Sequence, residues 1–273
     1  DGSRYDAELY PPTWPISFRA VEGGPIGGLV ANDGAVLGVG VRGNDPALGA
    51  AEEFVRLLRE RGVTVIGQAT SGRAPGEPAA IASVTSAPFS DVVRELLTNS
   101  DNNTAEMVLK EIGFATRQAG SRSAGITTVV ETLTRWGVST DGLQIVDGSG
   151  LSRENTLTCR TMLDVLDRFD ETSIFAQSLP VAGRTGTMAT YFVGDPMEGR
   201  LIAKTGSLTG VKALAGYLPV DGGGLVSFAV MLVGDGVSDD AGFRPIWEGY
   251  LSDALATYPA GPTSDRLGPA AAR

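Results

Sequence analysis

At 273 residues, with 42% of them hydrophobic, the chain has room for one large domain or two small ones and can bury a core. A formal net charge of −10 excludes the basic face that nucleic acid requires, and a basic patch for anionic lipid as well. Histidine is absent, which removes every imidazole-based triad and every His-ligated metal, and Cys159 alone supports neither an intrachain disulfide nor a Cys-based zinc site.

In chain order, residues 1–45 are rich in Gly, Pro and Val, and read as loops and short strands such as Gly28–Val30 and Ala35–Val39. Asp45-Pro46 is a helix start, with Asp at the N-cap and Pro at the first helical position. Ala51, Phe54, Val55 and Leu58 share one face, and Gly62 is placed to end that helix. Val63–Ile66 reads as a strand, and the loop-like stretch 68–78 as a join between two domains.

From about Ala82 the texture is helical. Val92, Val93, Leu96 and Leu97 make one amphipathic segment. Ser100 can cap the next, whose expected apolar face is Ala105, Val108, Leu109, Ile112 and Ala115. A third helix carries Ile126, Val130, Leu133 and Trp136 and stops at Gly137, and a fourth carries Met162, Leu163, Leu166 and Phe169. After Arg200 come the short apolar runs 201–205, 213–218 and 225–233, the last two joined by the turn signal Asp221–Gly224. Phe243, Ile246, Trp247, Tyr250 and Leu251 mark a final helix, and the Pro/Gly/Ala-rich tail from Ala260 is expected to be disordered. No window is long and apolar enough to span a membrane. Helices followed by an antiparallel meander and one more helix predict an α+β layer fold.

Without histidine, nucleophilic chemistry needs lysine or a carboxylate as its base. The lysines are Lys110, Lys204 and Lys212. Lys204-Thr205-Gly206 falls at the end of a predicted strand, and Ser100-Asp101-Asn102 at a helix start. A cationic lysine at a strand end, flanked by hydroxyls and a glycine that lets backbone come close, suits a carboxylate-bearing substrate. On the residues alone, the Ser-Asp-Asn triplet is more often simply an N-cap, Lys204 a solubilising edge lysine, and Asp147-Gly148-Ser149-Gly150 a turn.

The wider text is more specific. Ser100-Asp101-Asn102 and Lys204-Thr205-Gly206 are the S-D-N and K-T-G elements of penicillin-binding proteins and class A β-lactamases. Between and beyond them stand Asp147-Gly148-Ser149-Gly150-Leu151-Ser152, Leu179–Gly183 followed by Thr185-Gly186-Thr187, Ala203–Leu208, and Ala213–Tyr217. In this order, over roughly residues 40–255, they resemble the D-Ala-D-Ala carboxypeptidase/endopeptidase family S13, the class C low-molecular-mass penicillin-binding proteins. The resemblance implies part of a transpeptidase-like fold, with helices packed on an antiparallel sheet. Residues 1–78 would be the end of an inserted domain, 79–258 the C-terminal part of the catalytic domain, and 259–273 a disordered tail.

It also implies roles. Ser100 would pass a proton toward the leaving nitrogen, and Lys204 would hold Ser100 and add positive charge. Asn102 would offer its amide to a substrate carbonyl, and Asp101 would fix the turn. Thr205 and Ser207 would bind the terminal carboxylate of a stem peptide ending in D-Ala-D-Ala, with Gly206 between them, and the backbone N–H of Ser207 would form half of an oxyanion hole. β-Lactams would acylate the parent enzyme, which would need no metal and no cofactor and would act outside the cytoplasmic membrane.

One element of the family pattern is missing. Three residues before Lys110, Lys204 and Lys212 stand Met107, Leu201 and Thr209, so no S-x-x-K occurs in these residues. The expectation is a chain that begins mid-protein, with leader and nucleophile segment outside it and no activity by itself. The alternative is a non-catalytic module that binds peptidoglycan peptides.

Overall fold

The computed structural model describes residues 2–35, 43–73, 76, 81–220 and 224–256. The chain divides into two compact units. One comprises Asp1–Ser86, Asn102–Thr132 and Gln144–Thr156, and the other Ala87–Asp101, Leu133–Leu143 and Leu157–Arg273. Among the described residues no helix is long and apolar enough to cross a membrane.

In the first unit, helix α1 spans Pro46–Glu60. The Asp45 carboxylate accepts a 2.9 Å hydrogen bond from the Leu48 N–H, satisfying one of the free donors of the first turn. Gly62 ends the helix at φ +79°, where the Val63 N–H reaches back to the Leu58 carbonyl at 3.0 Å. Val63–Ile66 is not a strand. Among the described residues none pairs with it in a ladder, and the Ile66 side chain is 95% exposed. Gly28–Val30 is likewise loop, and most of the run Ala35–Val39 lies outside the described residues.

Helix α3, Asn102–Arg117, buries a different face from the one its apolar spacing predicts. Asn103, Glu106, Leu109, Lys110 and Gly113 are buried, whereas Ala115 is exposed and Ala105, Val108 and Ile112 are only half-buried. The buried polar groups are tied to loops. Lys110, 1% exposed, donates from Nζ to Asp6 Oδ1 and to the Glu8 carbonyl, both at 2.7 Å. Hydrogen-bonded ion pairs of this kind are what makes burial of charge tolerable.

Helix α4, Arg122–Arg135, crosses α3 through two glycines. A Cβ on Gly125 would lie 2.0 Å from the Leu109 carbonyl oxygen, and one on Gly113 2.8 Å from the Gly125 nitrogen. Gly125→Ala is therefore expected to destabilise the fold by about 1–3 kcal/mol, as overpacked sites do, read as a lower urea midpoint.

In the second unit, a three-stranded antiparallel sheet runs in the order β1 (Ile202–Leu208), β2 (Val211–Pro219), β3 (Leu225–Val233). Ala203 faces Gly216 and Ser207 faces Lys212 across β1 and β2, and Leu218 faces Val226 across β2 and β3. Because side chains alternate, the sheet has two buried faces. On one, Ala203, Leu214, Leu218 and Phe228 pack with Phe243 and Trp247. On the other, Ile202, Ala215 and Tyr217 pack with Leu97 of α2 (Phe89–Asn99), Leu166 of α5 (Cys159–Leu166) and Ala176 of α6 (Ile174–Ser178). The buried Tyr217 hydroxyl donates to the Leu166 carbonyl at 2.7 Å.

The C-terminal helix is interrupted. An α-helical α7, Asp240–Pro245, gives way to a π-helical turn over Ile246–Leu251 and then to α8, Ser252–Ala256. Pro245 has no N–H to give to the preceding turn, and the wider π turn absorbs the break. Phe243 and Trp247 stay buried while Tyr250, expected on the same face, is exposed. Most of the Asp221–Gly224 turn and all of the tail expected to be disordered lie outside the described residues.

Candidate active site

The site in the second unit is built where the end of α2 meets β1. Thr98, in the last turn of α2, donates from its hydroxyl to the Ser178 carbonyl at 2.8 Å, tying α2 to α6. Gly186 closes against the same turn, since a Cβ there would fall 2.0 Å from the Thr98 carbonyl oxygen. Ser100 does not N-cap the following helix. It ends α2 in the left-handed conformation, φ 59° and ψ 48°, with its N–H on the Leu96 carbonyl. Asp101 also gives its N–H to Leu96, at 3.2 Å. A non-glycine residue in this region carries strain of order 1 kcal/mol, and such strain concentrates at functional positions. The left-handed bend carries the Ser100 hydroxyl off the helix.

Lys204, partly buried on β1, donates from Nζ to Ser100 Oγ and to the Thr205 carbonyl, both at 2.7 Å. Among the described residues no carboxylate stands within ion-pairing distance of it. Burial therefore acts alone on the ammonium and lowers its pKa from 10.5 to about 8. The result is a lysine poised near neutrality against a serine hydroxyl. With its Nζ donating, one lone pair of Ser100 is occupied and the Ser100 hydrogen is free to point elsewhere.

Thr205 Oγ1 donates to Thr187 Oγ1 at 2.8 Å. Ser207 is exposed and accepts at 2.5 Å from the nearly buried Lys212 Nζ. Gly206 sits between them, where a Cβ would stand 3.3 Å from that of Ala213. Of the residues singled out in the sequence, Ser100, Asp101, Lys204, Thr205, Gly206 and Ser207 thus fall in one unit, and Ser100 and Lys204 touch. Asn102 belongs to the other unit, where its amide donates to the Glu22 carbonyl at 2.7 Å.

Four positions had no site role assigned from the sequence, although Asp147 and Thr187 lie inside its motifs. Thr187 and Lys212 bond Thr205 and Ser207, and nothing local announces those pairs because they depend on strand register. Glu106 accepts from the Gly148 and Ser149 N–H groups at 3.0 and 2.8 Å, and burial raises its pKa. Asp147 accepts from Trp14 Nε1, the Gly150 and Ser152 N–H groups and Asn155 Nδ2 at 2.7–3.1 Å. The signal for Glu106 was the buried spacing Asn103, Glu106, Lys110, a polar stripe at helical period.

A serine at a helix end held by a lysine on the edge strand of an antiparallel, helix-flanked sheet defines the class: this is a penicillin-binding-protein-like α+β fold. Residues 23–245 match the model of the D-Ala-D-Ala carboxypeptidase 3 (S13) family, and the chain belongs to that family. It is 38% identical over 209 residues to the D-alanyl-D-alanine carboxypeptidase of Actinomadura sp., covering 72% of this chain and 38% of that protein. It is 30% identical over 246 residues to the carboxypeptidase DacB of Mycolicibacterium smegmatis, covering 85% and 52%. Penicillin binding protein 4 (DacB) of Haemophilus influenzae, solved in complex with a β-lactam, superposes with a TM-score of 0.67 at 28% identity, over 80% of this chain and 52% of that one. The chain spans about half the length, or less, of these relatives.

Proposed function

We propose that these residues supply the proton-relay and carboxylate-anchoring part of a serine-type D-Ala-D-Ala carboxypeptidase/endopeptidase site. The contact of Lys204 Nζ with Ser100 Oγ, on a lysine with no carboxylate partner among the described residues, carries the reading. The attacking serine and its base lysine come from an S-x-x-K element that these residues do not contain. That serine adds to the carbonyl of the penultimate D-Ala, its proton passing to the base lysine. The Ser100 hydroxyl then gives its hydrogen to the departing nitrogen and is resupplied from Lys204. Water cleaves the resulting ester.

Thr205 and Ser207 hold the terminal carboxylate, and the Ser207 N–H faces the oxyanion. Asp101 secures the turn that carries Ser100. In this reading residues 1–78 close an inserted domain and 79–258 complete the catalytic one. The substrate is peptidoglycan, β-lactams are mimics of it, and the protein works outside the cytoplasmic membrane.

The test is acylation by a fluorescent penicillin, read after denaturation. A polypeptide that carries these residues together with an S-x-x-K element is expected to hold the label, and this chain by itself to hold none. Stable label on this chain alone would place the attacking serine among its own residues and overturn the role given to Ser100.

A further inference from the structure

Lys212 stands behind Ser207 on the neighbouring strand. It is 9% exposed, and a lysine is rarely buried without a counter-ion. Among the described residues no carboxylate pairs with it. Its Nζ donates to Ser207 Oγ at 2.5 Å and stands 4.8 Å from the centre of the Phe243 ring. Phe243 is itself held edge-on against Trp247 and Tyr191, so the floor beneath the ammonium is rigid and apolar. The strand register places Ser207 directly opposite Lys212, and Ser207 is the exposed member of the pair.

An ammonium that donates to a serine oxygen changes what the serine can recognise. With a lone pair occupied from behind, the hydroxyl turns its own hydrogen outward and presents a donor backed by a full positive charge. Such a group suits an anion and does little for a neutral amide. Lys204 and Ser100 make the same arrangement, and since Lys204 and Ser207 are separated by three positions they leave β1 on opposite faces.

We propose that Lys212 is a specificity-determining positioning residue which, acting through Ser207, makes this site demand a free terminal carboxylate. The proposal rests on the D-Ala-D-Ala reading above and adds to it the group that discriminates carboxylate from amide or ester ends.

The test compares binding of an acylated tripeptide ending in D-Ala-D-Ala with binding of its C-terminal amide, by calorimetry on the full chain. Wild type is expected to prefer the free carboxylate by about tenfold or more, Lys212→Gln to lose most of that preference, and Lys212→Arg to keep most of it. Lys212→Gln that retains the full preference overturns the proposal and leaves the D-Ala-D-Ala reading standing. Wild type that binds neither peptide overturns that reading and this inference with it. Should Lys212→Gln not fold, the three lysines of the wild type can be followed by 13C NMR. The Lys212 side-chain signal is expected to move with the carboxylate peptide and not with the amide, and an unmoved signal overturns the proposal.

Discussion

Lys204→Met is expected to make the protein more stable at neutral pH and, in a polypeptide complete with S-x-x-K, to slow acyl transfer. The Lys204 ammonium is desolvated, lacks an ion partner among the described residues, and titrates near 8 rather than 10.5. A group whose folded pKa is depressed in this way destabilises the fold while it is protonated in both states, here by about 1–3 kcal/mol after allowance for its partial exposure. That cost is complete below pH 8. It falls as the pH rises from about 8 to 10.5, where the unfolded chain still holds the proton and the folded one has released it. Urea unfolding at pH 7 and pH 10 reads this directly. Methionine should raise the midpoint at pH 7, and the gap between variant and wild type should narrow at pH 10. A midpoint lowered by a comparable amount at pH 7 would mean that the bonds to Ser100 and Thr205 outweigh desolvation. In a polypeptide complete with S-x-x-K, the same change should lower the acylation rate by about 10²–10⁴, the usual worth of a placed proton-transfer group.

Asp147→Ala should have the largest effect on stability. The carboxylate is buried and gathers the indole of Trp14, the N–H groups of Gly150 and Ser152, and the amide of Asn155. Alanine removes the acceptor of all four donors and strands the two that are buried, Trp14 Nε1 and the Ser152 N–H, so the expected loss is about 2–5 kcal/mol. Trp14 emission should shift to the red as its ring loses its anchor, and the unfolding midpoint should fall. Asp147→Asn is the informative control, because it keeps the shape and one acceptor while turning a donor toward donors. It should recover less than half of the loss. Equal stability of Asp147→Ala and wild type would show that the turn is held by Glu106 from its other side.

How much of this could be read from residues alone depended on how local each cause was. The Asp45-Pro46 start and the Gly62 stop of α1 are local and are found where the sequence puts them. The runs 201–205, 213–218 and 225–233 appear as three paired strands. Val63–Ile66 has the same apolar texture, yet strand formation needs a partner from elsewhere in the chain and none is found among the described residues. Lys204 and Ser100 were legible as motifs. The bonds that Lys212 and Thr187 make were not, because their partners are set by the β1–β2 register and by the turn at Gly186. For α3, apolar periodicity pointed to the wrong face, since ion pairs and a glycine crossing, rather than hydrocarbon, decide which side of that helix is buried.

Ser100 stands where two kinds of selection disagree. Its left-handed backbone, φ 59°, is one that glycine adopts at no steric cost. A search for heat resistance that scored only the surviving fold would be drawn to glycine there, and to methionine at Lys204, and would discard the hydroxyl and the amine together. Retention of both residues in a variant library is therefore a record of chemistry still being required. Their joint loss would mark a lineage, natural or evolved in the laboratory, in which the scaffold has outlived its reaction.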